Sequence, residues 1–503
     1  MNLPSSSGIQ FPLDNNHQRS TTAVNKAIYS AALNAIAPDA AQAVRDEANW
    51  RKQYPRHLRA LTEIGIQNPS QALHIAATAL DEAWQQFDFI RQGQTLPLAA
   101  AIQQPTPQAF HTAILQGEGP TDIKPWSLPY RGQQLQGEAL RQQIGRWQTD
   151  GIIEPSHAQA LHRVMEHPEW FDLSDHTFVL LGAASEAGPL ASLAQWRANI
   201  VAIDLPQPAI WQKIIQTVHR GNGRLIAPTS QPITPNTPPE QWLPTAGANL
   251  LTQTPELIAW LQALDVPLDI AAIAYLDGER HVRVSLAMDA IMTSISHARP
   301  DTTLMYMATP TDIFAVPEAA ARMAQQRYEE RNKLTAVPLQ LLSGGHFLQP
   351  HLTDLITADD GQRYGIVDCL VLEQGPNYAL AKRLQQWRAI VARAAGQRVS
   401  LNVAPATTTQ SVIKNSALKA AYNGAHIFGI EIFAPETTNA IMAALWIHDL
   451  RCQDCAAVPT YPLNNPLELF MHGANHGGLW RVGFLPRSAL PLAAIVGFVH
   501  RQR

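Results

Sequence analysis

The stretch 178–204 constrains the fold of this chain more than any other part of its sequence. Residues 178–181 and 200–203 are short apolar runs of the kind that form buried strands. Gly182 follows the first run and permits a sharp turn, and the residues 190–197 have the apolar spacing of a helix. The stretch therefore predicts a strand, a glycine turn, a helix and a second strand.

The turn in this stretch also predicts a binding site for an anion or a nucleotide. Gly188 and Pro189 mark a helix start, where unpaired backbone N–H groups can point at a phosphate or carboxylate. Asp204 follows the second strand, where such folds place an acid against ribose hydroxyls. The sequence therefore predicts a nucleotide-binding site, and it does not indicate a particular reaction.

Composition and charge exclude several classes of protein. The 503 residues are 46% hydrophobic and 16% charged, which suits two or three globular domains. Lys plus Arg number 37 against 41 Asp plus Glu, so there is no basic surplus for nucleic acid. With three cysteines and no basic-apolar leader at the N-terminus, a cytoplasmic location is predicted.

The order of apolar segments predicts the architecture. Residues 1–171 have helical spacing, and strands and helices alternate from about residue 176. We therefore predict an α/β fold with a doubly wound, mainly parallel, Rossmann-like sheet. The expected organisation is a helical N-terminal region (1–171), a nucleotide-binding domain with insertions (172–450) and a C-terminal extension that packs on the core (451–503).

The apolar segment 489–499 is too short to cross a bilayer, for which roughly 18 to 20 residues are needed. A terminal core element is expected there, and no transmembrane segment. Peripheral membrane contact and homo-oligomerisation stay open.

From residue 176 to residue 450 the order of elements resembles the short-chain dehydrogenase/reductase superfamily. Its glycine turn is similar to Gly182-Ala-Ala-Ser-Glu-Ala-Gly188, with Glu186 in place of the middle glycine. The resemblance implies cofactor contacts from Gly182, Ser185, Gly188 and Asp204, and NAD or NADP as the cofactor. It also matches 268–275 to the strand under the nicotinamide, where Tyr275 is a candidate for substrate contact.

The resemblance also implies catalytic residues. The family needs a Ser or Thr after the fifth strand, and a Tyr with a Lys four residues later. Thr309 follows the strand predicted over 302–308, and the next helix supplies Tyr328. Position 332 is Asn332 and Lys333 lies one residue further, so the motif is expected to be incomplete. Segment 338–349 is then similar to the strand and glycine turn after the catalytic helix.

The predicted function is that of a divergent NAD(P)-dependent oxidoreductase acting on a carbonyl or alcohol of a small molecule. An S-adenosylmethionine-dependent methyltransferase is an alternative, because such enzymes also place a glycine turn after the first strand and an acid after the second. A catalytically degenerate protein with an assembly or sensing role is the third reading. Glu186 and the position of Lys333 motivate it.

A second cluster of reactive side chains lies near the C-terminus. His448, Cys452 and Cys455 form an H-x3-C-x2-C run that could hold zinc, but a second tight ligand pair is not evident. Two reduced, partly buried cysteines and no bound metal are expected.

Overall fold

The computed structural model describes residues 7–500 except 105, 187, 235, 236 and 353. The region before residue 171 is mainly helical, as predicted, and also contains short strands. Its helices are α1 (Thr21–Asn34), α2 (Pro38–Asp46), α3 (Trp50–Gln67), α4 (Pro69–Gln86), α5 (Leu98–Gln103), α6 (Gly137–Thr149) and α7 (Pro155–Glu166). Its strands are β1 (Gly8–Gln10), β2 (Asp88–Arg91), β3 (Gln94–Pro97), β4 (His111–Gln116), β5 (Leu128–Tyr130) and β6 (Gln133–Leu135).

The alternating region then builds the central sheet. Its first strands are β7 (Thr177–Leu181), β8 (Asn199–Ile203), β9 (Arg224–Thr229), β10 (Asp269–Ala272) and β11 (Thr303–Ala308). The helices between them are α8 (Leu190–Leu193), α9 (Pro208–His219), α10 (Thr254–Gln262) and α11 (Glu279–Ala298). Strands β7 and β10 are buried along their whole length, which explains their continuous apolar sequences.

An insertion follows β11 before the last strand of the central sheet. It comprises β12 (Ile313–Pro317), α12 (Glu318–Glu329), α13 (Lys333–Leu342), β13 (Ile356–Thr357) and β14 (Arg363–Asp368). The three strands pair antiparallel in the order β12-β14-β13, as a small separate sheet. Helix α14 (Gly375–Ala394) and strand β15 (Val399–Val403) then return the chain to the central sheet.

The central sheet has seven strands in the order β15-β11-β10-β7-β8-β9-β4. All neighbours pair parallel except β4, which lies antiparallel to β9. Read as the first to the sixth parallel strand, this is the order 3-2-1-4-5-6 of dinucleotide-binding sheets. The predicted doubly wound, mainly parallel sheet is confirmed. Strand β4 forms an antiparallel edge strand that was not predicted from the sequence.

The remaining helices are α15 (Gln410–Lys414), α16 (Ser416–Gly424), α17 (Pro435–Arg451) and α18 (Pro486–His500). Among the described residues, no helix is long and apolar enough to cross a membrane.

Helices α1, α3 and α4 of the N-terminal region pack on α14, and α4 also contacts α11. The indole of Trp84 donates to an Asp289 carboxylate oxygen on α11 at 2.7 Å, and Tyr29 packs edge-on against Trp387 on α14. The N-terminal region therefore completes the core on this side of the sheet.

Two segments differ from their predicted structure. Residues 336–342 were predicted as a strand, but they belong to α13, where ten residues from Lys333 to Leu342 form a helix capped by Asn332. Helix α8 contains four residues, half the length predicted for 190–197, and turns continue to Arg197. The run 336–342 is short and mostly apolar, and periodicity alone does not separate strand from helix in such runs.

Candidate active site

A large cavity lies at the carboxyl ends of the parallel strands, with a volume of about 1500 Å³. Gly182, Asp204 and Thr309, which follow β7, β8 and β11, all line it. This edge collects the chain segments after parallel strands, and the crevice falls where the strand order reverses between β7 and β10. The sheet topology thus brings residues from distant parts of the sequence into one cavity.

Gly182 makes the tight turn that the sequence predicted. Its φ is +98°, and a Cβ placed there would lie 2.6 Å from Ala274 Cα. Both the left-handed conformation and the close approach to the segment after β10 exclude a side chain. The backbone N–H groups of Gly182 and Ala183 donate to Ile203 O, which ties the turn to β8.

Two N–H groups of the turn that the sequence predicted as an anion site donate to carbonyl groups of the same turn. The N–H of Ser185 donates to Gly182 O, and that of Gly188 donates to Ser185 O, both at 2.9 Å. Ser185 lines the cavity, but Gly188 packs below it, where an added Cβ would meet Ile273 Cδ1 at 3.1 Å. Helix α8 is one turn long, and the amides of Ser185 and Gly188 are already paired within the turn.

Asp204 lies at the end of β8 with both carboxylate oxygens engaged. Oδ2 accepts the N–H of Ala184 and Oδ1 accepts the N–H of Leu205, each at 2.8 Å. Burial raises the pKa of Asp204, although these two hydrogen bonds oppose the shift. Each oxygen keeps a further lone pair, so the carboxylate can still accept ribose hydroxyls.

Glu186, which replaces the middle glycine of the turn, lines the cavity. Its Oε2 accepts the Gln410 N–H at the start of α15, at 2.9 Å. Asn439 Nδ2 donates to the Glu186 backbone carbonyl, also at 2.9 Å. Glu186 therefore joins the glycine turn to α15 and α17.

Tyr378 and Lys382, on α14, line the opposite end of the cavity. They are four residues apart and so share one helix face. Burial raises the pKa of Tyr378 to about 12, opposed by hydrogen bonds with Thr309 and Thr311. Burial lowers the pKa of Lys382 to about 8, opposed by the charge of Asp312. This tyrosine and lysine have the Tyr-x-x-x-Lys spacing of the family that the chain resembles. The sequence prediction placed the pair at Tyr328 and Lys333 instead.

Two threonines after β11 complete this end of the cavity. Thr309 Oγ1 and Thr311 Oγ1 lie 2.9 Å apart, and Thr311 Oγ1 donates to Gln374 Oε1 at 3.0 Å. Both threonines are buried and line the cavity. Hydroxyl groups held in this way can orient a substrate oxygen near Tyr378.

A buried ion pair joins α14 to the segment after β11. Arg383 Nη2 donates to Asp312 Oδ1 at 3.0 Å, and Gln386 Nε2 donates to Asp312 Oδ2 at 2.9 Å. Arg383 and Asp312 are 3% and 1% exposed, respectively. The network joins the residue after Thr311 to the residue after Lys382, so it sets the distance between β11 and α14.

An aromatic stack flanks the same end. His281 stacks on Tyr378 with ring centroids 5.5 Å apart, and Tyr275 packs on His281 at 4.8 Å. Burial holds the pKa of His281 well below its usual value, so the ring is neutral. Tyr275 lines the cavity, in agreement with its candidacy for substrate contact.

Tyr328 and Lys333, the tyrosine and lysine proposed from the sequence, do not line the cavity. The Tyr328 hydroxyl accepts from Gln340 Nε2 at 3.1 Å, and the Arg331 guanidinium lies over its ring. Lys333 is exposed at the start of α13. The insertion explains the misplacement, because α12 follows β11 in the sequence but packs on the small sheet, whereas α14 follows after the insertion.

His448, Asp449 and Cys455 place one potential ligand atom each within 4.8 Å of one another, in a group separate from the cavity. Burial lowers the pKa of His448, but hydrogen bonds to Asp449 and Cys452 outweigh it and raise that pKa to about 9. Arg163 Nη1 lies 3.1 Å from Cys452 Sγ. This cation occupies a position next to Cys452 where a metal would have to compete with it.

Comparison with known proteins adds no family: no protein-family model and no curated protein matches the chain.

Proposed function

We propose that this chain is an NAD(P)-dependent oxidoreductase that acts on a carbonyl or alcohol of a small molecule. The observation that carries the proposal is the shared cavity: Asp204 lines one end, and Thr309, Tyr378 and Lys382 line the other. Its volume of about 1500 Å³ exceeds the roughly 300–1,000 Å³ of ordinary ligand pockets, which leaves room for a dinucleotide together with a substrate.

The lining residues are suited to hold the cofactor in an extended form. Asp204 has spare lone pairs for ribose hydroxyls, and Ser185 adds a hydroxyl group beside the turn. Lys414, on α15, also lines the cavity and would contribute positive charge to neutralise phosphate. A bound nicotinamide supplies or accepts hydride.

The protein's own groups would handle the proton. With its pKa at about 12, Tyr378 is a phenol at neutral pH and can donate its proton to a carbonyl oxygen during reduction. Lys382, with a pKa at about 8, is mainly a cation at pH 7, and its charge stabilises the phenolate that results. Thr309 and Thr311 would orient the substrate oxygen and share the hydrogen bonds of the phenol.

Calorimetric titration with NAD, NADH, NADP and NADPH tests the proposal. We expect at least one of them to bind, and Asp204→Asn to weaken that binding by about tenfold through loss of a charged acceptor. Asp265→Asn, in an exposed turn outside the cavity lining, is the matched control and should bind as the wild type does.

Two results would contradict the proposal. One is the absence of binding to all four dinucleotides at millimolar concentration. The other is binding of S-adenosylhomocysteine with no dinucleotide binding, which would favour a methyltransferase.

A further inference from the structure

A small apolar pocket adjoins the large cavity. It has a volume of about 60 Å³ and is lined by residues of α16, of α18 and of the segments 369–371 and 479–484. None of the described residues that line it is charged. We call it the α16–α18 pocket, and its walls include Ala421, Ala425, Ala489, Ala493, Leu479 and Val482.

The pocket and the cavity differ in polarity. The cavity is lined by charged side chains, among them Asp204, Lys382 and Lys414. In the pocket, the Cys369 thiol donates to Leu479 O at 3.7 Å, and burial holds the pKa of this thiol well above its usual value, so it stays neutral. An apolar group can therefore enter the pocket without removing a charge from water.

The pocket is continuous with the end of the cavity where the proposed proton donor lies. Thr311, Ala406 and Tyr422 line both spaces. Thr311 shares hydrogen bonds with Tyr378. Burial raises the pKa of Tyr422 and the neighbouring Tyr378 raises it further, so the two phenols are close to one another. The pocket thus begins beside the position proposed for the reacting oxygen of the substrate.

Close backbone contact between α16 and α18 fixes one side of the pocket. A Cβ at Gly424 would lie 1.9 Å from Ala493 O, and a Cβ at Gly497 would lie 1.9 Å from Ala420 O. The two helices therefore cannot move closer together to fill the space. The size of the pocket is set by the lengths of the side chains that line it.

We propose that the α16–α18 pocket binds a short aliphatic substituent of the substrate. This inference rests on the proposed oxidoreductase function and adds the class of substrate: a carbonyl or alcohol whose reacting carbon carries an apolar group. A dry cavity of about 150 Å³ holds benzene, or about 25 Å³ per carbon atom. A volume of about 60 Å³ therefore suits two or three carbon atoms. A polar substituent would lose its hydrogen bonds to water on entering and is disfavoured.

Equilibrium binding of methyl ketones to the purified full chain tests the proposal. Saturation-transfer NMR gives the Kd of each ketone as the second substituent is lengthened from methyl to pentyl. We expect Kd to fall about fourfold for each added CH2 up to propyl, and to change little from propyl to pentyl. A hydroxyethyl group has the length of propyl but ends in a hydroxyl, and it should bind at least about tenfold more weakly than propyl.

Two variants should move the length limit in opposite directions. Ala421→Leu adds three carbon atoms to the wall and should abolish the gain from methyl to propyl. Leu490→Ala removes three carbon atoms from the wall and should extend the gain to the pentyl ketone. Leu492→Ala makes the same change at a partly buried leucine of α18 outside the pocket lining, and it should keep the propyl limit. Opposite shifts cannot arise from a general loss of folding.

Three results would overturn the proposal. They are the absence of ketone binding, an affinity that keeps rising to the pentyl ketone in the wild type, and the same length limit in the wild type, Ala421→Leu and Leu490→Ala. Failure of all four dinucleotides to bind would contradict the proposed oxidoreductase function instead. Because ketone binding is measured without turnover, the length limit would still decide whether the pocket takes an apolar group.

Discussion

Helices α12 and α14 each carry a tyrosine and contribute to a tyrosine–lysine pair, yet their surroundings differ completely. Tyr328 of α12 packs beside the small sheet, and Lys333 is exposed just beyond it. Tyr378 and Lys382 of α14 face the cavity at the edge of the central sheet. Residue type and approximate order along the chain are therefore insufficient to identify the residues that line the cavity. The helix that carries them must also pack along the strands whose carboxyl ends form the site.

The proposed role of Tyr378 as proton donor would be wrong if substitutions of the two tyrosines had equal effects on catalysis. With any alcohol or carbonyl that the wild type turns over, Tyr378→Phe should lower kcat/KM about a thousandfold, because the proton donor is lost. Tyr328→Phe removes a hydroxyl bonded to Gln340 outside the cavity and should leave kcat/KM nearly unchanged. Steady-state kinetics of both variants measure these two effects. A large loss of kcat/KM for Tyr328→Phe would contradict the assignment of Tyr378 as the proton donor.

The ion pairs of the two helices offer a second contrast. Asp312→Asn leaves Arg383 buried without its counter-charge and should lower the free energy of unfolding by about 3 kcal/mol. Glu318→Gln on α12 removes a partner of Arg322, which is exposed, and should cost less than about 1 kcal/mol. Urea unfolding measures both values. Similar losses for the two variants would show that the α14 network is not specially buried.

The lysines should differ in how pH affects stability. Because folding lowers the pKa of Lys382 from 10.5 to about 8, its charge destabilises the folded state at every pH below 8, and this cost fades as pH rises towards 10.5. Lys382→Met should therefore raise the free energy of unfolding by about 2 kcal/mol at pH 7, with the gain shrinking above pH 8. Lys333→Met, at an exposed site, should show no such trend. A pH-independent effect of Lys382→Met would contradict the lowered pKa.

Much of the architecture could be predicted from local sequence patterns. The apolar runs that became β7, β8, β10 and β11 are buried strands, and Gly182 occupies the sharp turn that its position suggested. Strand periodicity and glycine conformation act over a few neighbouring residues, so a sequence reports them directly. The doubly wound, mainly parallel sheet was predicted as well, because alternating strands and helices indicate parallel strands joined by crossover helices.

Which residues line the cavity could be determined only from the tertiary structure. The insertion after β11 separates Thr309 from Tyr378 in the sequence, so the Tyr-x-x-x-Lys spacing of α14 lies far from the strand that the resemblance associates with it. The pairing of the turn amides within the chain also depends on contacts such as that between Gly182 N–H and Ile203 O.

The sequence by itself thus determined the βα alternation, the glycine turn and the acid at the end of β8. Folding decided which tyrosine and lysine face the cavity and how Glu186 is turned towards α15. The physical reason is range: the first set depends on backbone conformation and burial of adjacent residues, and the second depends on packing between elements that are far apart in the chain.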